Sequence, residues 1–150
     1  MMKKDTRTIT PDGKDQEYLQ ERYVEAQLIQ KQVEQLKLQM QYIQEELREV
    51  QGGLAALDDI AKSKPDSEIM LPLANGIFVR GTLKETDRLL VGVGASVVVE
   101  KDVPSTKEIL GQRQNILESN HIEFIQAIAR MEERGRQLEA EMRTVIERYK

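Results

Sequence analysis

Apolar residues recur every three and four positions along two long stretches of this chain, and that spacing limits the fold more than any other feature. In the first stretch, from about Lys14 to Ala61, heptad position a falls at Leu19, Ala26, Val33, Met40, Leu47, Leu54 and Ala61. Position d falls at Arg22, Ile29, Leu36, Ile43, Val50 and Leu57, and only Arg22 breaks the apolar line. Sustained alternation of this kind is a coiled-coil seam. Gln30, Lys31, Gln32, Glu34 and Gln35 lie between seam residues and suit water. Gly52-Gly53 falls off the seam and costs roughly 1 kcal/mol per Gly against Ala, so a local bend is expected there. Ser63, Lys64 and Pro65 end the helix, because Pro lacks the N–H donor and clashes with the preceding turn.

The second stretch starts near Pro104, where Ser105-Thr106-Lys107-Glu108 has the spacing of a capping box. Its d positions are Leu110, Leu117, Phe124, Met131, Leu138 and Val145. Its a positions, Gln114, His121, Ile128, Gly135, Met142 and Tyr149, are mixed. Ile109, Ile116, Ile122 and Ile125 widen the apolar face, which predicts extra burial in the first half of this helix. The two helices have nearly equal length and the chain must return, so antiparallel pairing is expected. Ala61 then lies beside Ser105, and Leu19 beside Val145 to Tyr149.

Between the helices the period changes. Glu68–Leu73 and Ile77–Leu83 read as strands joined by Asn75-Gly76, a strong turn signal. After the polar turn Lys84–Asp87, Arg88–Val93 and Ala95–Glu100 read as two more strands, broken at Gly94. Two successive β-hairpins result, with apolar residues on both faces. One helix pair cannot cover both faces, and Val97-Val98-Val99 would leave an edge prone to pairing. Assembly through Leu71, Leu73, Ile77, Val79, Leu90, Val91, Val97, Val98 and Val99 is the simplest remedy. The expected organisation is a mobile tail over 1–14, helices over 15–61 and 105–149, and the hairpins over 68–101. The fold class is mainly α, a long antiparallel coiled-coil hairpin whose two β-hairpins join an oligomeric β-barrel platform.

Composition narrows the function classes. Aromatic residues are 4% of the 150, with no Trp, while 32% are charged. That profile suits long helices better than a large globular core. The net charge of -4 and the lack of a clustered basic stripe argue against nucleic acid as a partner. With no Cys and a single His, Cys-ligated metals, thiol catalysis and multi-His metal sites are excluded. No run reaches the ~18 apolar residues of a membrane span, and Met1–Arg7 leads into no apolar signal region. A cytoplasmic chain without membrane contact is expected.

Sharper chemical readings find little support. Gly92-Val93-Gly94-Ala95-Ser96 lacks the third Gly of a dinucleotide loop and runs into strand residues, so it reads as a hairpin turn. His121 at a seam position reads as a polar residue that helps to set register. Asp58-Asp59, Glu45-Glu46 and Glu132-Glu133 read as solvated faces, since neighbours on a helix diverge. No catalytic residue, cofactor or metal site is assigned, and an enzyme is not expected. Tyr18, Leu19, Tyr23, Met142, Val145, Ile146 and Tyr149 form the most interesting set. They are either the last seam layers or an apolar tip that takes up exposed segments of other proteins; a fraying end would be both.

The order helix, two β-hairpins, helix resembles the prefoldin family, specifically its α-type subunit. Leu71-Pro72-Leu73-Ala74-Asn75-Gly76, the run Leu89-Leu90-Val91-Gly92-Val93-Gly94-Ala95, and Val99-Glu100-Lys101 carry the resemblance, which covers roughly residues 15–149. The Val-Gly-Val-Gly-Ala form is more similar to archaeal members. The tail before Lys14 departs from the family pattern. The resemblance implies a hexamer of two alpha-type and four beta-type prefoldin subunits. It also implies ATP-independent capture of unfolded polypeptides at the coiled-coil tips, and transfer to a group II chaperonin. The competing reading is a structural or tethering coiled-coil scaffold without client binding. The double hairpin favours the chaperone, because a plain tether does not need it.

Overall fold

The computed structural model describes residues 10–150, so residues 1–9 of the expected tail lie outside the described residues. The elements run α1 (Gly13–Lys62), β1 (Ser67–Ala74), β2 (Ile77–Leu83), β3 (Arg88–Gly94), β4 (Val97–Asp102) and α2 (Val103–Glu147). Helix α1 starts two residues before the expected position, because Asp12 caps it. Its Oδ1 accepts the Asp15 N–H at 2.8 Å, satisfying one of the orphan donors of the first turn. Gly13 and Lys14 are therefore helical rather than tail.

The start of α2 also differs from expectation. Ser105 is not the cap; Asp102 is, and its Oδ1 accepts the Ser105 N–H at 2.8 Å. The Thr106 hydroxyl donates to the Asp102 carbonyl at 2.8 Å, which lets this polar side chain be buried. Strand β4 thus passes directly into α2, and Pro104 sits in the first turn, where its missing N–H costs nothing.

The described residues divide into two units, one of residues up to Tyr42 with His121–Lys150, the other of Ile43–Asn120. In the first unit α1 and α2 pair antiparallel. Lys37 Nζ meets Glu132 at 2.8 Å, and nearer the chain ends Tyr18 donates to Glu141 at 3.2 Å. Val33, Ile128, Leu138 and Val145 are buried there, and Leu138 is fully enclosed at 0% exposure. These are the a and d residues of the two heptads, as their spacing requires.

In the second unit the same pairing is marked by Lys107 with Asp58 and Arg113 with Glu46. Val50, Leu57 and Val103 are buried. Helix α1 continues unbroken through Gly52-Gly53, the place of the expected bend. Gly53 has a packing reason instead: a Cβ there would lie 3.2 Å from Leu110 Cδ1, so the missing side chain admits Leu110. Ala61, placed on the seam by its heptad position, is exposed in the last turn. Ile116, Ile122 and Ile125 are exposed as well, so the wider apolar face of α2 is not buried within the chain. Only Ile109 of that group is half-buried.

The four strands form two separate antiparallel pairs, β1 with β2 and β3 with β4. The first turn is Asn75-Gly76, with φ of 50° and 77°. The second is Ala95-Ser96, with φ of 48° and 59°. Both therefore match a two-residue turn with positive φ at each central position, which suits the twist of the flanking strands. This corrects the fourth strand: Ala95 and Ser96 are turn, and β4 begins at Val97 and reaches Asp102. In each hairpin the register shifts two residues before the turn, at Leu73 and at Val93.

Candidate functional site

The expected assembly residues all lie on the hairpins. Cross-strand partners share a face, so Leu71 and Val79 stand together, with Ile69 and Gly81 beside them. A Cβ on Gly81 would lie 3.2 Å from Leu71 Cδ1, so Leu71 leans across the space that Gly81 leaves. The opposite face carries Met70, Pro72 and Phe78, with Arg80 near Glu68 at 3.5 Å. Leu71, Leu73, Ile77 and Val79 are exposed, and so are Met70 and Phe78. In the second hairpin Val91 pairs with Val99, and both are half-buried. Val97, on the face of Val99, is exposed; on the other face Leu90 is 79% exposed and Val98 is exposed too. Arg88 bridges to Glu100 at 3.0 Å on that face.

An isolated two-stranded hairpin is marginal in water, and these two leave apolar side chains open on both faces. Exposed apolar side chains on both faces make the hairpins a candidate interaction surface. Met70, Phe78 and Val93 belong to it and were missed from sequence. The signal for Phe78 was present, since it lies in the Ile77–Val79 run, but strand alternation alone did not say that both faces remain open.

The second candidate site is the end of the helix pair that carries the chain ends. Of its expected residues, Tyr18, Leu19, Met142 and Tyr149 are half-buried, Val145 is buried at 6% exposure, and Tyr23 and Ile146 are exposed. Val145 is therefore a seam residue in the closed pair, while Tyr23 and Ile146 are on the surface, with Val24 also exposed. A groove of about 390 Å³ opens beside Tyr23, lined by Ala26, Ile29, Met131, Gly135 and Met142 among others. Gly135 lines it from a seam position without a side chain; a Cβ there would lie 3.9 Å from Ile29 Cγ2, an ordinary contact.

Polar groups close the same end. The Tyr149 hydroxyl donates to Asp15 and accepts the Asp12 N–H at 3.4 Å. The Asp15 carboxylate holds the Tyr149 proton, so the phenol titrates above its ordinary value. One layer further in, Arg22 meets Glu25 at 3.0 Å and Glu141 at 3.3 Å. Arg134 meets the same two carboxylates at 2.9 and 3.4 Å. The Arg22 guanidinium also stacks 4.9 Å from the Tyr18 ring centre. The hydrogen bond from Arg134, and then that from Arg22, hold Glu25 below the usual carboxylate range. The apparent flaw in the first heptad is thus one member of a four-group ring. Sequence marked Arg22 as anomalous but could not supply its partners.

Five of the six carboxylates singled out in the sequence have ion-pair partners. Asp58 meets Lys107, Glu45 meets Arg48, Glu46 meets Arg113, Glu132 meets Lys37, and Glu133 meets Arg136. Among the described residues no group of three or more His, Cys, Asp or Glu could hold a metal ion, and no helix is long and apolar enough to cross a membrane.

Comparison with known proteins bears on both sites. The family model described as Prefoldin subunit matches residues 29–148. Prefoldin subunit alpha of Thermofilum pendens is 31% identical over 84 residues, 56% of this chain and 65% of that protein. Prefoldin subunit alpha of Methanobrevibacter smithii is 29% identical over 85 residues, 57% of this chain and 58% of that protein. Prefoldin subunit 5 of Arabidopsis thaliana is 27% identical over 104 residues, 65% of this chain and 69% of that protein. The chain thus spans less than two thirds of the length of the first two. Among solved structures, filamentous PFD from Methanocaldococcus jannaschii matches with a TM-score of 0.69 at 18% identity, covering 79% of this chain and 98% of that one. At that identity the likeness is one of fold.

Proposed function

Given that the chain belongs to the prefoldin family and stands with its alpha-type subunits, we propose that it is a subunit of an ATP-independent holding chaperone. Its hairpins join beta-type subunits in a β-barrel platform, with two alpha-type and four beta-type chains in a hexamer. The chain-end region of its helix pair captures unfolded polypeptides, which pass to a group II chaperonin in the cytoplasm. The observation that carries this reading is the apolar surface left open at the helix-pair end, where Tyr23 lines the Gly135 groove and Val24 and Ile146 are exposed as well.

The energetics suit holding and release. Burial of about 200 Å² at one such end is worth roughly 5 kcal/mol at about 25 cal/mol per Å², and ordering costs remove much of it. A single end binds weakly, and several acting together retain a client by multivalency. Met131 and Met142 in the groove suit clients of varied shape.

Deleting residues 1–23 together with 142–150 tests the reading. Complexes carrying the truncated chain should assemble, because the hairpins belong to the other unit. They should protect a denatured protein from aggregation less well than complexes with the intact chain, with or without ATP. Equal protection by both would remove this chain's helix-pair end from client capture and leave it a platform or scaffold subunit.

A further inference from the structure

We propose that the ring formed by Arg22, Glu25, Arg134 and Glu141 is a clasp that lets the chain-end layers of the helix pair open without unravelling the seam behind them. The inference rests on the capture reading above and adds its regulation.

The ring occupies a position where the heptad calls for an apolar residue. Arg22 stands at d, between Leu19 and Ile29 along the seam. Two of its four links cross between helices. The inner crossing, Arg134 to Glu25, is short at 2.9 Å. The outer crossing is looser: Arg22 Nε lies 3.3 Å from Glu141, within ion-pair range but off line, so that N–H has no hydrogen-bond partner. The Tyr18 hydroxyl supports Glu141 at 3.2 Å. Beyond this crossing lie Leu19, Val145 and the Tyr149 contact with Asp15.

A polar layer inside an apolar seam sets register at a cost in stability. A leucine at the same place would bury apolar area in both helices and hold the end shut. An ion ring holds it more reversibly. Arg22 Nε itself is shielded, but the side chains of Arg22 and Glu141 are 29% and 36% exposed, so water and salt reach the outer parts of both charged groups. Loosening the outer crossing would free Leu19 and Val145, which the closed pair covers. The inner crossing, with Leu138 fully buried nearby in sequence, stays as the stop.

Two substitutions push the clasp in opposite directions. Arg22→Leu restores the apolar seam and leaves Glu141 with Arg134 and Tyr18. Arg134→Gln leaves Glu25 and Glu141 sharing one cation, so the pair should part more readily. Nitroxide labels at the exposed positions Gln20 and Glu147, read in the assembled full-length protein, report the width of this end. Salt is varied from about 0.1 M to about 1 M, which shortens the screening length from roughly 10 Å to roughly 3 Å. The native protein should give a distance distribution that broadens with salt. Arg22→Leu should give a narrow one that ignores salt, and Arg134→Gln a broad one already at low salt. Lys37→Gln, which breaks an ion pair outside the ring, should behave as the native protein. Protection of an aggregating client should fall in Arg22→Leu and hold or rise in Arg134→Gln. Should Arg134→Gln lose helix content by circular dichroism, the native and Arg22→Leu proteins still decide the matter. Identical distributions in those two at both salt levels would overturn the clasp. Distances that follow the ring while protection does not would overturn its control over capture. The capture reading itself is judged separately, by the truncation.

Discussion

Val98→Asp separates folding of the single chain from assembly. Val98 lies opposite Gly92, so no cross-strand side chain covers it, and it is 59% exposed. Fully burying a side chain of this class is worth roughly 1.5–3 kcal/mol, so about 1 kcal/mol or more is still to be gained when a partner covers Val98. A carboxylate in its place forfeits that gain and must also be stripped of water, which costs several kcal/mol per ion in real proteins. Arg88, the cation on this face, is already engaged by Glu100. The sum is at least about 4 kcal/mol, or roughly a thousandfold in the dissociation constant. The fold of the single chain should feel less than about 0.5 kcal/mol, as for other surface positions. Sedimentation velocity over a concentration series reads the assembly, and circular dichroism at 222 nm reads the helices. Loss of the oligomer with helix content retained is expected. A dissociation constant changed by less than about tenfold, with helices intact, would refute the assignment of this face to assembly.

Four further outcomes are expected. Leu138→Ala, at the fully enclosed seam position, should lower stability by about 2–5 kcal/mol in urea unfolding. Ala95→Asn with Ser96→Gly should raise it, since both residues hold a left-handed φ that Asn and Gly tolerate better, at about 1 kcal/mol or more per relieved position. Gly135→Ala should raise the melting temperature, because the added methyl meets Ile29 at an ordinary 3.9 Å and helix propensity improves by about 1 kcal/mol. Glu25, Asp58, Asp102, Glu132 and Glu133 all titrate below their ordinary values, chiefly through hydrogen bonds from Arg134, Lys107, Ser105, Lys37 and Arg136 respectively. A depressed folded value means that the stabilisation is present above the unfolded value and lost as pH falls through the folded one, so the melting temperature should drop below about pH 4 and stay level from there towards neutrality.

Period and turn chemistry are properties of a few neighbouring residues, and so they can be read along the chain. The 3–4 alternation from Leu19 to Leu57 and from Leu110 to Val145 determined two helices and their buried lines. Asn75-Gly76 determined the first turn, because its residues tolerate positive φ whatever surrounds them. Ala95-Ser96 has no such bias, and only the paired strands on either side impose the left-handed turn on it. Asp102 outcompetes Ser105 as the cap because β4 runs straight into α2, a junction that local spacing does not reveal. The apolar character of the assembly and chain-end residues was legible, but how far each is covered was not. Val145 is buried while Ile146 is open, and Ile116 is exposed although its pattern suggested burial, because burial depends on what the other helix places opposite. Arg22 shows the division most clearly. Sequence could say only that a charge interrupts the seam; the tertiary structure supplied Glu141 and Arg134, more than 100 residues away along the chain, and made the interruption a ring.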